Sequence, residues 1–253
     1  MIEIETIPAA RSLRMALLLA LAGACSTLLI LPYALQMAPA LAARIPVSIA
    51  VFAAAQFFQA LAVFLFAAWL GLRLGYPFGL DAPLLRRALG EGRARVAPSS
   101  WRTAVLLGAG VAVLCILLVT LLPLPQTPIA IPPWWMGLMA SFYGGIGEEI
   151  LCRLLLVSLF VWIAARLMRN ATPGAAIYAG AIVLAAVLFG LGHLPQAALV
   201  FGEITLVSAS IVIGLNAMCG IVFGWLYWRH GLEHAMAAHF CADLVLHVAA
   251  PLL

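Results

Sequence analysis

Seven stretches of this chain are each long and apolar enough to cross a lipid bilayer, and nothing else in the sequence constrains the fold as much. They cover residues 13–36, 47–72, 103–122, 134–168, a segment opening at Gly174, 204–228 and 232–250. A hydrocarbon core of about 30 Å takes about twenty helical residues to span. Only helices and closed barrels satisfy their backbone polar groups in lipid, and these runs lack the alternating segments of about ten residues that build a barrel. With 66% hydrophobic residues, 9% charged residues and a mean hydropathy of +1.16, the sequence predicts an all-α, polytopic transmembrane helical bundle. It has seven spans, or eight if the long fourth one divides. The lipid bilayer is its first partner.

The net charge of +4 comes from arginine, because the chain has no lysine. This usage points to a GC-rich bacterial genome, hence to the inner (plasma) membrane, and not to nucleic acid. The longest polar stretch, 73–102, holds Arg73, Arg86, Arg87, Arg93, Arg95 and Arg102. It reads as a cytoplasmic loop facing anionic headgroups under the positive-inside rule. A cytoplasmic N-terminus also places Arg11, Arg14, Arg166, Arg169 and Arg229 inside, leaving Arg44 outside and Arg153 within the membrane. Residues 13–36 compete with a signal peptide, faintly so at Ala22-Gly23-Ala24-Cys25, but the run continues past Cys25 and reads as a retained helix. Residues 123–133, with five prolines, form a rigid external loop. The cysteines (Cys25, Cys115, Cys152, Cys219, Cys241) are scattered on apolar spans without a CxxC pair, which argues against a disulfide framework.

Charge inside the fourth span stands out against this background. Gly144-Gly145-Ile146-Gly147-Glu148-Glu149-Ile150-Leu151-Cys152-Arg153 sets two carboxylates and an arginine in an apolar helix, where ionisable groups are costly and mark function. Glu149 and Arg153, four residues apart, share a face and can pair. Glu148 is rotated by about 100° and has no such built-in partner. The glycines allow close packing or a kink.

Two later clusters add imidazoles. Phe189 precedes His193 by one turn, and His239 shares a face with Asp243; His247 lies a further turn along. Glu148 lies 20 residues before Met168 and His193 lies 19 after Gly174, so the helical hairpin places them at one height. The fourth helix, at about 52 Å, must tilt, break or project. His239 is only about 10 Å into the last helix. Matching its level to the others predicts a hairpin projecting towards the cytoplasm and a cavity open on that side. Gly220 and Gly224 mark a close-packing face. His230, His234 and Glu203 read as interfacial and Asn216 as a helix-packing hydrogen bond.

Taken together, Glu148-Glu149-xxx-Arg153, Phe189-xxx-His193 and His239-xxx-Asp243 resemble the three motifs of the CPBP family. These are the CAAX-processing and bacteriocin-processing intramembrane endopeptidases, also called the Abi family. Gly224-Trp225-Leu226-Tyr227-Trp228-Arg229-His230-Gly231-Leu232 is similar to the family's approach to its last motif. The resemblance covers about 134–250 and divides the chain into N-terminal helices with a basic loop (1–133) and a catalytic helical core (134–253). It implies that Glu148, assisted by His193, activates a water, that His239 with Asp243 stabilises the oxyanion, and that Glu149, Arg153 and Phe189 support the site. The substrate would be a membrane-associated peptide or protein. Asp243 departs from the asparagine typical of the prenyl-protein branch: an ionised carboxylate cannot donate to an oxyanion, so Asp243 must be protonated or orient His239.

No cofactor is expected. A zinc site of Glu148, His193 and His239 is the less favoured alternative, since no HExxH is present. Rival readings are a proton-coupled transporter or channel using the same groups as a relay, and a non-catalytic immunity or scaffold protein of the same fold. No inverted repeat supports the first, and the intact Glu148, His193 and His239 disfavour the second. Neither substrate sequence nor oligomeric state has a signature here.

Overall fold

The computed structural model describes residues 9–91, 98–122, 131–169 and 172–252. All regular structure in these residues is helical, and seven helices are long and apolar enough to span a membrane. The spans and two short helices are, in chain order, α1 (Ala9–Met37), α2 (Ile49–Gly75), the short α3 (Pro83–Ala88), α4 (Pro98–Leu121), α5 (Trp134–Leu167), α6 (Ala175–Gly192), the short α7 (Leu194–Phe201), which continues the α6 span, α8 (Leu206–His230) and α9 (Leu232–Asp243). Helix α9 runs on as a π-helical turn, Leu244–Ala249. The external proline loop falls largely on 123–130, and Arg93 and Arg95 on 92–97, outside the described residues.

Helix α5 answers the length problem by winding. It stays continuous, but Tyr143–Glu148 and Ile150–Val157 are π-helical. An i→i+5 turn is wider and advances less per residue, and such turns gather at functional positions. The glycines in this segment serve close approach. A Cβ at Gly147 would sit 3.1 Å from the Phe64 ring of α2, and one at Gly145 3.0 Å from Phe240 Cβ. The Gly220–Gly224 face behaves as expected, since Cβ atoms there would meet Ala186 Cβ at 2.8 Å and Ile182 Cγ2 at 2.6 Å. In lipid, where burial of apolar surface does not drive helix association, this backbone approach supplies the packing.

The basic stretch is more ordered than a loop. A 3-10 turn (Tyr76–Phe78) and α3 are fastened to the other turns at the same end of the bundle. Glu233 Oε1 accepts from the Leu84 and Leu85 amides at 2.9 Å, and Asp81 O accepts from the Leu232 amide at 3.0 Å. The Phe78 carbonyl accepts from Tyr178 Oη at 2.9 Å, and Arg86 Nη2 donates to Asp81 at 2.8 Å. Tyr178, near the start of α6, stacks on Trp228, near the end of α8, with centroids 4.9 Å apart. The turns are therefore level, and no hairpin projects as the height count had predicted. His234, in the first turn of α9, is fully buried at this end, stacked on Trp101 at 4.3 Å with Nε2 3.0 Å from Ser100 Oγ. Glu203 is exposed.

Candidate active site

The π-wound middle of α5 presents its two glutamates to different surroundings. Glu149 is fully buried and Arg153 is 1% exposed, with Nη1 3.1 Å from Glu149 Oε1. The guanidinium lies over the Phe189 ring (4.9 Å) and the Phe223 ring (5.4 Å), and its Nη2 donates to the Gly220 carbonyl at 3.3 Å. That carbonyl is reachable because α8 carries no side chain at 220. The buried cation is thus held by a carboxylate, a carbonyl and two π faces.

Glu149 has a second partner that the sequence did not reveal. Its Oε1 accepts from His239 Nδ1 at 2.7 Å, joining residues 90 positions apart. Phe223 stacks on the same imidazole at 4.6 Å and 22°, and Phe189 meets it edge-on. The ring of His239 is therefore fixed in plane and in direction, with Nδ1 committed to Glu149 and Nε2 turned to the other carboxylates.

Glu148 and Asp243 are those carboxylates. Glu148 Oε2 is 3.6 Å and Asp243 Oδ1 3.7 Å from His239 Nε2. Both distances are too long for direct hydrogen bonds and short enough for one water to bridge the three groups. The Glu148 side chain is 24% exposed, against 0% for Glu149. Gly144 makes this geometry possible, since a Cβ there would collide with Asp243 Oδ2 and lie 3.0 Å from His239 Nε2.

A cavity of about 300 Å³ opens over these groups, lined by Glu148, His193, His239 and Asp243 together. His193 Nδ1 lies 2.8 Å from the Phe189 carbonyl. A carbonyl only accepts, so this nitrogen carries the proton, and in the neutral ring Nε2 is left as an acceptor. The three motif clusters thus meet at one cavity: the counts agree for Glu148 and His193, while His239 joins them without the projecting hairpin that its count required. His239 makes its direct hydrogen bond with Glu149, at 2.7 Å, whereas Asp243 Oδ1 stands 3.7 Å from Nε2.

The polar lining extends beyond the motifs. Tyr33 of α1 places Oη 3.4 Å from His247 Nδ1, and His247 Nε2 is 3.9 Å from Asp243 Oδ1. Tyr143, Gln196 and Asn216 also line the cavity. Asn216 donates to the Val212 carbonyl at 2.8 Å, which leaves its side-chain oxygen free to accept. A lone tyrosine in the first span was the only sequence trace of the α1 contribution. A second, more apolar cavity of about 580 Å³ lies between α1 and α2 and shares Ile30 and Tyr143 with the first. Among the described residues, no three of His, Cys, Asp and Glu are grouped as a metal site requires.

Residues 130–245 match the family described as type II CAAX prenyl endopeptidase Rce1-like. Searches of characterised proteins and of solved structures give no match.

Proposed function

We propose that the chain, whose residues 130–245 match the Rce1-like type II CAAX prenyl endopeptidase family, hydrolyses a peptide bond of a membrane-associated protein or peptide with a water activated by Glu148. The observation that carries this reading is the contrast between neighbours: Glu149 is sealed and paired, whereas Glu148 faces the cavity with 3.6 Å to His239 Nε2.

In this mechanism Glu148 takes a proton from water as the oxygen bonds to the substrate carbonyl carbon. The neutral His193, an acceptor at Nε2, holds the same water. The cationic form of His239 donates from Nδ1 to Glu149 and from Nε2 to the oxyanion. Collapse of the tetrahedral intermediate breaks the C–N bond, and the proton on Glu148 passes to the departing amine. Asp243 acts from the far side of His239 Nε2, where a protonated carboxyl supplies a second donor. The dry layer beneath keeps its aromatic walls against His239 and excludes bulk water from the oxyanion.

The test is a comparison of membrane proteomes from cells carrying wild-type protein or Glu148→Gln. Cleavage products present with the wild type and missing with the variant support the reading. Identical proteomes, with both proteins folded at equal levels, overturn it and favour the relay or scaffold alternatives.

A further inference from the structure

The two ends of the bundle differ sharply in charge. One end gathers the start of α1, the 76–91 segment, the α5–α6 turn and the α8–α9 turn, which the hydrogen bonds from Asp81, Phe78 and Glu233 tie together. To this end belong Arg14, Arg73, Arg86, Arg87, Arg102, Arg166, Arg169 and Arg229. At the opposite end, where α1 finishes and α5 begins, Arg44 is the only arginine among the described residues. Arginine near span ends sets orientation, with acidic residues counting for little. The positive-inside rule assigns the arginine-rich end to the cytoplasm.

The catalytic cavity runs towards the other end on every helix that lines it. Phe64 lies against both Gly147 and Gly23, so those two residues mark the level of the glutamates. From there the α1 lining moves on to Ile30 and Tyr33, the latter about 6 Å from the end of α1 at 1.5 Å per residue. On α5 it moves back to Ala140, beyond α6 to Gln196, on α8 to Asn216, and past α9 to Leu246. No lining residue comes from the arginine-bearing turns. That side is plugged by Glu149 and Arg153, by Phe223 and Leu226, and by Tyr227 hydrogen-bonded to Ser158 at 2.9 Å, all at most 1% exposed.

We infer that the cavity is loaded from the extracytoplasmic face. Its substrate is an extended peptide segment already on that side of the bilayer: a translocated peptide, or the outer flank of a membrane-anchored protein. A cytoplasmic C-terminal tail has no route to Glu148. The inference builds on the hydrolytic reading but concerns the side of access.

Two measurements test it separately. Gln196→Cys and Ala88→Cys, both at exposed positions at opposite ends, are probed with a membrane-impermeant maleimide in sealed spheroplasts and in inside-out vesicles. Labelling of the unsubstituted protein at its own cysteines is subtracted. The expected result is Cys at 196 labelled from outside and Cys at 88 only from inside; the reverse overturns the inference. New chain ends that depend on wild-type Glu148 are then mapped by terminal proteomics. They are expected on extracytoplasmic flanks, and their concentration in cytoplasmic tails also overturns the inference. If no such ends exist, the protease reading fails while the labelling still decides the side.

Discussion

Two layers of the bundle, one residue apart along α5, use the same chemistry for opposite ends. In the lower layer Glu149 and Arg153 are buried and pair at 3.1 Å beneath Phe189 and Phe223, which floor the cavity. The upper layer of Glu148, His193 and Asp243 lines open volume, with gaps of 3.6–3.7 Å around His239 Nε2. His239 joins the layers through one nitrogen each. Burial beside a cation and an imidazole makes a carboxylate structural; partial exposure to a cavity leaves its neighbour free for chemistry.

Substitutions that swap the roles of the layers give the strongest tests. Glu148→Gln removes a proton acceptor without changing shape. It is expected to lower the cleavage rate by about 10²–10⁴-fold and leave the melting temperature in detergent unchanged. Glu149→Gln strands Arg153 in a sealed layer, a loss of about 3–5 kcal/mol visible as a lower melting temperature and lower yield. Equal stability for the two variants would erase the distinction between the layers.

Gly144→Ala probes the joint between them. The added methyl drives into Asp243 and His239, costing about 1–3 kcal/mol and displacing His239 Nε2. The expected outcome is a larger fall in kcat than in thermal stability, read by assaying both on one preparation.

Smaller effects sharpen the upper layer. Asp243→Asn keeps the shape and adds a donor, so activity should stay within about tenfold of wild type, less than about 1.4 kcal/mol in the barrier. Asp243→Ala should be worse, since it empties the space beside His239. Activity should survive exhaustive chelation. Loss on chelation with recovery on added zinc would move Glu148 from base to ligand.

The sequence carried one layer more legibly than the other. The Glu149–Arg153 pair and the isolation of Glu148 followed from helical rotation alone, and the height of His193 from counting across a short turn. The Glu149–His239 bond did not, because it is a tertiary contact between helices 90 residues apart with no shared pattern. The π-winding of α5 was hidden because three charged residues in an otherwise apolar stretch are too few to mark a change of winding. The height count also failed to give the direction of the cavity. It opened the cavity towards the arginine-bearing end, whereas its lining runs to the other. Tyr33 of α1, from a helix without a motif, was placed at the site only by packing.

The most direct test of Glu148 as general base is a single turnover of purified enzyme in ¹⁸O-water, using a substrate found by the proteomic comparison. Water attack predicts one ¹⁸O in the new C-terminal carboxylate of the product and none in the enzyme. Label in the Glu148 side chain would instead show that the carboxylate itself attacks the peptide, and would contradict the account.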